Sequence, residues 1–167
     1  IISVHNGIIA NEFKLWKEHP NFVKDNEIDT EILLDLFDCN FKKNQSIEKS
    51  VSNTIKKVDG TVTAAFGFNN LDSLILATNN GSLYVIHNNK DILFFSSEEY
   101  IMKSFEKKIN LEVIGKYSIK QIRTNSGISI NLNNFNINKF SFDDKKFDIQ
   151  KNKKDKININ IKNIKSN

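Results

Sequence analysis

The residues of this chain whose types and spacing could do chemistry are few, and the first stand near its start. His5, Asn6 and Gly7 fall within "SVHNGIIANEF" (3–13), and Asp29 opens "DTEILLDLFDC". An imidazole can serve as a general base, and the amides of Asn and Gly are donors that can hold a ligand. Each residue also has a plainer use. Asn and Gly tolerate positive φ and make the preferred two-residue hairpin loop, so the dipeptide alone favours a tight turn. A carboxylate at a helix start, as at Asp29, is the ordinary cap. Cys39, the single thiol, falls in a helical stretch beside Phe37 and Phe41, where a small buried thiol is common, and does not read as a nucleophile. His19 and His87 have no neighbour that suggests chemistry.

Composition bounds what can position these residues. At 167 residues and 39% hydrophobic content, the chain is long enough for one core and too short for two full domains. Thirteen Phe against six Gly and one Pro argue against disorder over most of the length. No apolar run approaches the ~18 residues of a membrane span, so no membrane partner is expected. One cysteine excludes an internal disulfide framework and fits a reducing, cytoplasmic compartment, and three dispersed histidines lack metal-ligand spacing. The net charge of +4 invites a nucleic-acid reading, but all but one of the 24 basic residues are Lys. Arg123 alone could make a bidentate fork to guanine or phosphate, and no nucleic-acid partner is expected. The chain opens Ile1-Ile2 and its only Met is Met102, so it reads as a fragment or processed piece of a longer protein.

The pattern predicts helices first. Phe13, Leu15 and Trp16 make a short helical face that Pro20 closes. A second helix starts at Asp29 or Thr30, with Ile32, Leu33, Leu36 and Phe37 at the 3.6-residue period; a third follows Ser46 with Ile47, Val51, Ile55 and Val58, and Asp59-Gly60 stops it. The period then changes to two. "TVTAAFGF", "SLILAT", "LYVIH" and "ILFFS" read as a meander of strands separated by "NNLD", "NNGS" and "NNKD", and Asn80-Gly81 is read as an ordinary hairpin turn without function. A short helix carrying Tyr100, Ile101, Ser104 and Phe105 follows, then strand-like runs near 111–122, 128–132 and 135–142. Helices grouped ahead of mainly antiparallel strands imply an α+β layered domain.

Asn6-Gly7 differs from the other turn-like pairs through its company. "HNGIIAN" (5–11), "DTE" (29–31), "GTVTAAFGF", "LILATNNGSLYVI" and "FFSSEEYIM" follow in an order that resembles the class II glutamine amidotransferases. These are glutaminase domains of the N-terminal-nucleophile hydrolase fold, and the likeness is nearest to the glucosamine-6-phosphate synthase type. It runs from about Ser3 to Phe105, and more loosely to Phe142. The resemblance implies an αββα sandwich of mainly antiparallel sheets, incomplete at its N-terminus. It implies that Asn6 and Gly7 form an oxyanion hole, through the Asn amide and the Gly backbone N–H, and that Asp29 binds the α-ammonium group of glutamine; the carboxylate has acceptor sites enough to cap the helix as well. In this family the base is the nucleophile's own α-amine, which leaves His5 a packing or hydrogen-bonding role.

The departures are equally specific. The family's N-terminal cysteine and its Arg-Trp segment are absent, Ala10 stands where an acidic residue is usual, and "ATNNGSLYV" lacks the Arg and Pro often found there. The expected organisation is residues 1–142 as the C-terminal part of a glutamine amidotransferase domain, followed by 143–167 as a Lys/Asn/Ile-rich tail or linker whose removal leaves folding unchanged. The implied function is release of ammonia from glutamine for an acceptor domain or subunit, of sugar phosphate isomerase type by analogy, without metal or organic cofactor. This chain alone is expected to be inactive. A non-catalytic binding or scaffolding module with the same fold is the alternative, and an unrelated α+β interaction domain with coincidental motifs is a third reading.

Overall fold

The helical period does what the sequence leads one to expect. In α2 (Thr30–Asn44) and α3 (Ile47–Ile55) it puts Ile32, Leu33, Leu36, Phe37, Val51 and Ile55 on facing stripes, and each is at most 1% exposed. The hydroxyl of Ser46 caps α3 by accepting from the Lys49 N–H. The first helix, α1 (Glu12–Glu18), buries Leu15 alone, and Phe13 is 83% exposed. Positions two apart in a helix are turned by about 200°, so Phe13 and Leu15 do not share a face. These elements belong to a computed structural model that describes residues 1–143 except 27, 45, 69, 110, 112–114 and 116. The tail expected from 143 therefore lies, beyond Asp143, outside the described residues.

Two sheets follow from the alternating stretches. β1 (Ile2–Ile9), β2 (Gly60–Phe68) and β3 (Ser73–Thr78) are joined by β7 (Ser126–Asn131) and β8 (Ile137–Ser141) in the order β1-β2-β3-β7-β8, each neighbouring pair antiparallel. β4 (Tyr84–His87), β5 (Leu93–Ser96) and β6 (Lys120–Gln121) form a second sheet in the order β5-β4-β6. The next helix, α4 (Glu99–Lys108), buries Met102 and leaves Tyr100 and Ile101 exposed.

Three apolar clusters separate four layers. Helices α1–α3 cover one face of the large sheet, where Phe37 packs on Phe66 and Phe68 and the side chain of Phe142 closes the far end. Ala65, Leu76, Leu83, Val85 and Ile128 fill the space between the sheets. Ile86, Met102 and Leu111 lie under α4. Each fully buried side chain of this kind contributes about 1.5–3 kcal/mol of transfer free energy. The order is helix, sheet, sheet, helix: an α+β sandwich.

Two expectations are corrected. Asn6 and Gly7 are not a turn: they lie within β1, opposite Thr63 and Val62 of β2. The strand persists because β2 offers an unbroken partner and Gly7 lets the backbones close up. Its φ is +155°, and a Cβ there would stand 1.9 Å from the Thr61 carbonyl oxygen. Nor do the strands run as one meander. β3 pairs with β7, so Asn79–Leu83 carries the chain from one sheet to the other rather than closing a hairpin.

Candidate active site

Among the described residues β1 is an edge strand, and its outer edge organises the site. The Ala10 N–H donates to the Asp59 carbonyl on the β2 side. Amide directions alternate along a strand, so the Gly7 and Ile9 amides face outward, two residues and about 7 Å apart. The Ile9 N–H donates to Asp29 Oδ2 at 3.3 Å. Asn11 ties down the end of the strand: its Nδ2 donates to the Lys57 carbonyl and its Oδ1 accepts from the Asp59 N–H.

"DTE" divides its work among three residues. Asp29, one-third exposed at its side chain, meets β1 through Ile9. The Thr30 hydroxyl lies 3.2 Å from Nδ1 of His5 and 3.4 Å from Asp29 Oδ1. Glu31 accepts from the backbone N–H groups of Asn26 and Asp25, which holds its carboxyl below the usual range; the Asn26 amide is the larger cause. Further along α2, burial beside Glu31, Asp38 and Asp25 pushes the carboxyl of Asp35 up.

His5 is buried at its side chain, 2% exposed, and its Nε2–H donates to the Thr61 carbonyl at 3.4 Å. Nδ1 of the same ring lies against the Thr30 hydroxyl, which donates to Asp29 Oδ1. His5 thus braces β1 against β2 and α2, the hydrogen-bonding role expected for it. Cys39 is a free, half-buried thiol on α2.

Asn6 turns to the opposite face of β1. It lines a cleft of about 160 Å³ with Val4, Thr63, Leu83, Phe95 and Ser97. Its Nδ2 donates to Ser97 Oγ at 2.7 Å across 91 positions of sequence. A larger, apolar cavity of about 260 Å³ lies between β5 and α4, lined by Phe94, Ile101, Met102 and Phe105, and holds none of the expected site residues.

Beneath Asn6 lies a polar network that the sequence reading missed. The hydroxyl of Thr63, the cross-strand partner of Asn6, donates to the Ser82 carbonyl at 2.9 Å, and the Thr78 hydroxyl donates to Asn80 Oδ1 at 2.7 Å. Asn80 Oδ1 also accepts from the Ser82 N–H, and Ser82 Oγ donates to the Ser97 carbonyl at 2.7 Å. Asn79 clasps β2 from the other side, accepting from the Val62 N–H and donating to the Gly60 carbonyl. The Asn79–Asn80 pair, read as bare turn chemistry, therefore links the two sheets under Asn6. The one signal for it in the sequence was the run of Thr, Asn and Ser in "ATNNGS".

One edge thus carries an outward Gly amide, a carboxylate at the next outward amide and an Asn amide in the adjoining cleft. The profile of a family described as "Glutamine amidotransferase domain" matches residues 1–104. The chain belongs to that family. Among relatives of this amidotransferase domain, it is 27% identical over 129 residues to the glutamine–fructose-6-phosphate aminotransferase (isomerizing) of Bartonella quintana, strain Toulouse, covering 76% of this chain and 21% of that protein. It is 30% identical over 131 residues to the 7-cyano-7-deazaguanine synthase of Saccharolobus solfataricus, covering 77% of this chain and 27% of that protein. The chain therefore spans roughly a quarter or less of the curated relatives it matches. Its fold is similar to the glutamine phosphoribosylpyrophosphate amidotransferase from B. subtilis, with TM-score 0.61 at 18% identity over 84% of this chain and 29% of that one. A class-II glutamine aminotransferase domain protein from Silicibacter pomeroyi gives TM-score 0.54 at 14% identity, over 84% and 66%. The expected class II amidotransferase fold is thereby established. No helix among the described residues is long and apolar enough to cross a membrane.

Proposed function

We propose that this domain takes part in hydrolysing the side-chain amide of L-glutamine, with the ammonia passed to an acceptor domain or subunit, and that it supplies the oxyanion donors and the ammonium-binding carboxylate. The observation that carries this reading is the outer edge of β1, which no strand covers among the described residues. Gly7 points its amide outward, and Asp29 stands at the next outward amide, about 7 Å on. In glutamine the α-nitrogen and the carboxamide carbon are four bonds of about 1.5 Å apart, a span of about 5 Å. The edge therefore suits a ligand with a cation at one end and an electrophilic carbonyl at the other.

In the proposed mechanism, a thiolate attacks the carboxamide carbon and the carbonyl oxygen becomes negative. The amide of Asn6 and the backbone N–H of Gly7 stabilise it as uncharged donors that need no prior protonation. The α-amine of the nucleophile, which took up the thiol proton, returns it to the nitrogen as the intermediate collapses and ammonia leaves, and water then hydrolyses the γ-glutamyl thioester to glutamate and the free thiol. Cys39 lies within α2, and the nucleophile of this proposal is instead an N-terminal cysteine, as the resemblance implies. A sugar phosphate is the acceptor proposed from the aminotransferase relatives, and a reducing, cytoplasmic setting suits a thiol nucleophile.

The two ends separate kinetically. In a polypeptide that carries both the nucleophile and this chain, Asp29→Asn should raise KM with kcat little changed, because an ammonium contact is present in the ground state. An Asp29→Asn enzyme with unchanged KM would remove Asp29 from the binding role.

A further inference from the structure

An oxyanion donor works only if it is already aimed when charge develops. Asn6 is an exposed residue on an edge strand, and a carboxamide there has three staggered χ1 wells and a broad χ2 open to it. Only a partner for the side chain can select one of them. That partner is the hydroxyl of Ser97, 2.7 Å from Nδ2, in the connection between β5 and α4. A carboxamide nitrogen carries two protons. Ser97 takes one, which orients the amide and leaves the other free to donate into the cleft.

Ser97 is itself held from the far side. Its carbonyl accepts from Ser82 Oγ at 2.7 Å, the Ser82 carbonyl accepts from Thr63 Oγ1 at 2.9 Å, and Thr63 pairs with Asn6 across β1 and β2. The path closes on itself: Asn6, Ser97, Ser82, Thr63 and back to Asn6. It joins the edge of one sheet to the end of the other at the point where the two bound the cleft. Asn80 fixes the Ser82 corner by accepting from its N–H, and Thr78 fixes Asn80.

From this circuit we infer that Ser97 is a positioning residue for Asn6, locking the orientation of its amide with Ser82 as the strut. The inference rests on the proposed oxyanion role of Asn6. Displacing a catalytic group by about 1 Å can cost 10²-fold in rate, far out of proportion to one hydrogen bond's effect on folding.

The test has two arms. In the full 167-residue chain labelled with 15N, the Asn6 side-chain amide protons, assigned by their loss in Asn6→Asp, should exchange slowly and at distinct shifts. Ser97→Ala should collapse that protection and Ser97→Thr should keep it, with backbone signals elsewhere unmoved. In a polypeptide bearing the nucleophile, Ser97→Ala should lower kcat about tenfold while KM stays within about twofold, and Ser97→Thr should restore it. Asn6 protons that ignore Ser97→Ala would overturn the inference. So would an enzyme slowed by Asn6→Ala and indifferent to Ser97→Ala, with the oxyanion reading left standing. An enzyme indifferent to Asn6→Ala would overturn the oxyanion reading itself, and the positioning role with it.

Discussion

The chain contains two Asn-Gly dipeptides, and the fold uses them in opposite ways. Asn6-Gly7 runs straight through an edge strand, its glycine pressed against the Thr61 carbonyl. Asn80-Gly81 bends the chain from one sheet to the other, with Gly81 at φ +82° and its N–H donating to the Thr78 hydroxyl. In the first, the Asn side chain faces the cleft; in the second it is consumed by the scaffold, accepting from Thr78 and Ser82. A dipeptide's local preference is small beside the pairing of eight consecutive residues, and the partner strand decides. Positions alike in composition thus divide into a donor and its support.

The sharpest way to break this comparison is to add one methyl group to each glycine. Gly7→Ala places a Cβ 1.9 Å from a backbone oxygen held within a sheet. It should cost more than about 4 kcal/mol, or prevent folding, since neither strand can give way. Gly81→Ala meets Thr124 Oγ1 at 3.0 Å and keeps a left-handed φ. The cost there should be about 1–2 kcal/mol. Denaturant titration of both variants checks the order, and equal losses would mean that the two glycines do the same job.

Thr63→Val comes next, because it removes the hydroxyl that meets the Ser82 carbonyl and leaves shape nearly unchanged. The expected loss is about 1–3 kcal/mol, the cost of an unpartnered buried acceptor. Melting measured beside the wild type reads it, and no change would show the circuit to be dispensable to folding.

The smallest effect is acid sensitivity of the loop before α2. The carboxyl of Glu31 is held below its ordinary 4.5 by the Asn26 and Asp25 amides. A depressed acid stabilises the fold fully above that ordinary value and loses its contribution as pH falls through the lower, folded value. The protection factors of the Asn26 and Asp25 amides, measured against intrinsic exchange at each pH, should therefore hold at pH 6 and fall selectively in acid. Glu31→Gln should remove the pH dependence, and protection independent of pH in the wild type would contradict the assignment.

The sequence showed the helices and most strands because their information is local: Ile32 to Phe37 and Val51 to Ile55 carry the period within a few turns. The two motifs that carry Asn6, Gly7 and Asp29 also meet, "HNGIIAN" touching "DTE" through Ile9 with Asp29 and through His5 with Thr30. What stayed hidden was pairing at a distance. β3 is closed by β7, more than forty residues on, and Asn6 is met by Ser97. Nothing in "FFSSEE" marks one of its serines as the partner of an amide on another sheet.

The central claim, that the Asn6–Gly7 stretch of β1 stabilises an oxyanion, is tested most directly by ammonia release from L-glutamine in a polypeptide that carries the nucleophile together with this chain. The account predicts that Asn6→Ala lowers kcat by about 10²–10³ and leaves KM nearly unchanged, because the charge exists only as the transition state forms. An Asn6→Ala enzyme that keeps its kcat, or one that loses rate only through KM, would contradict it.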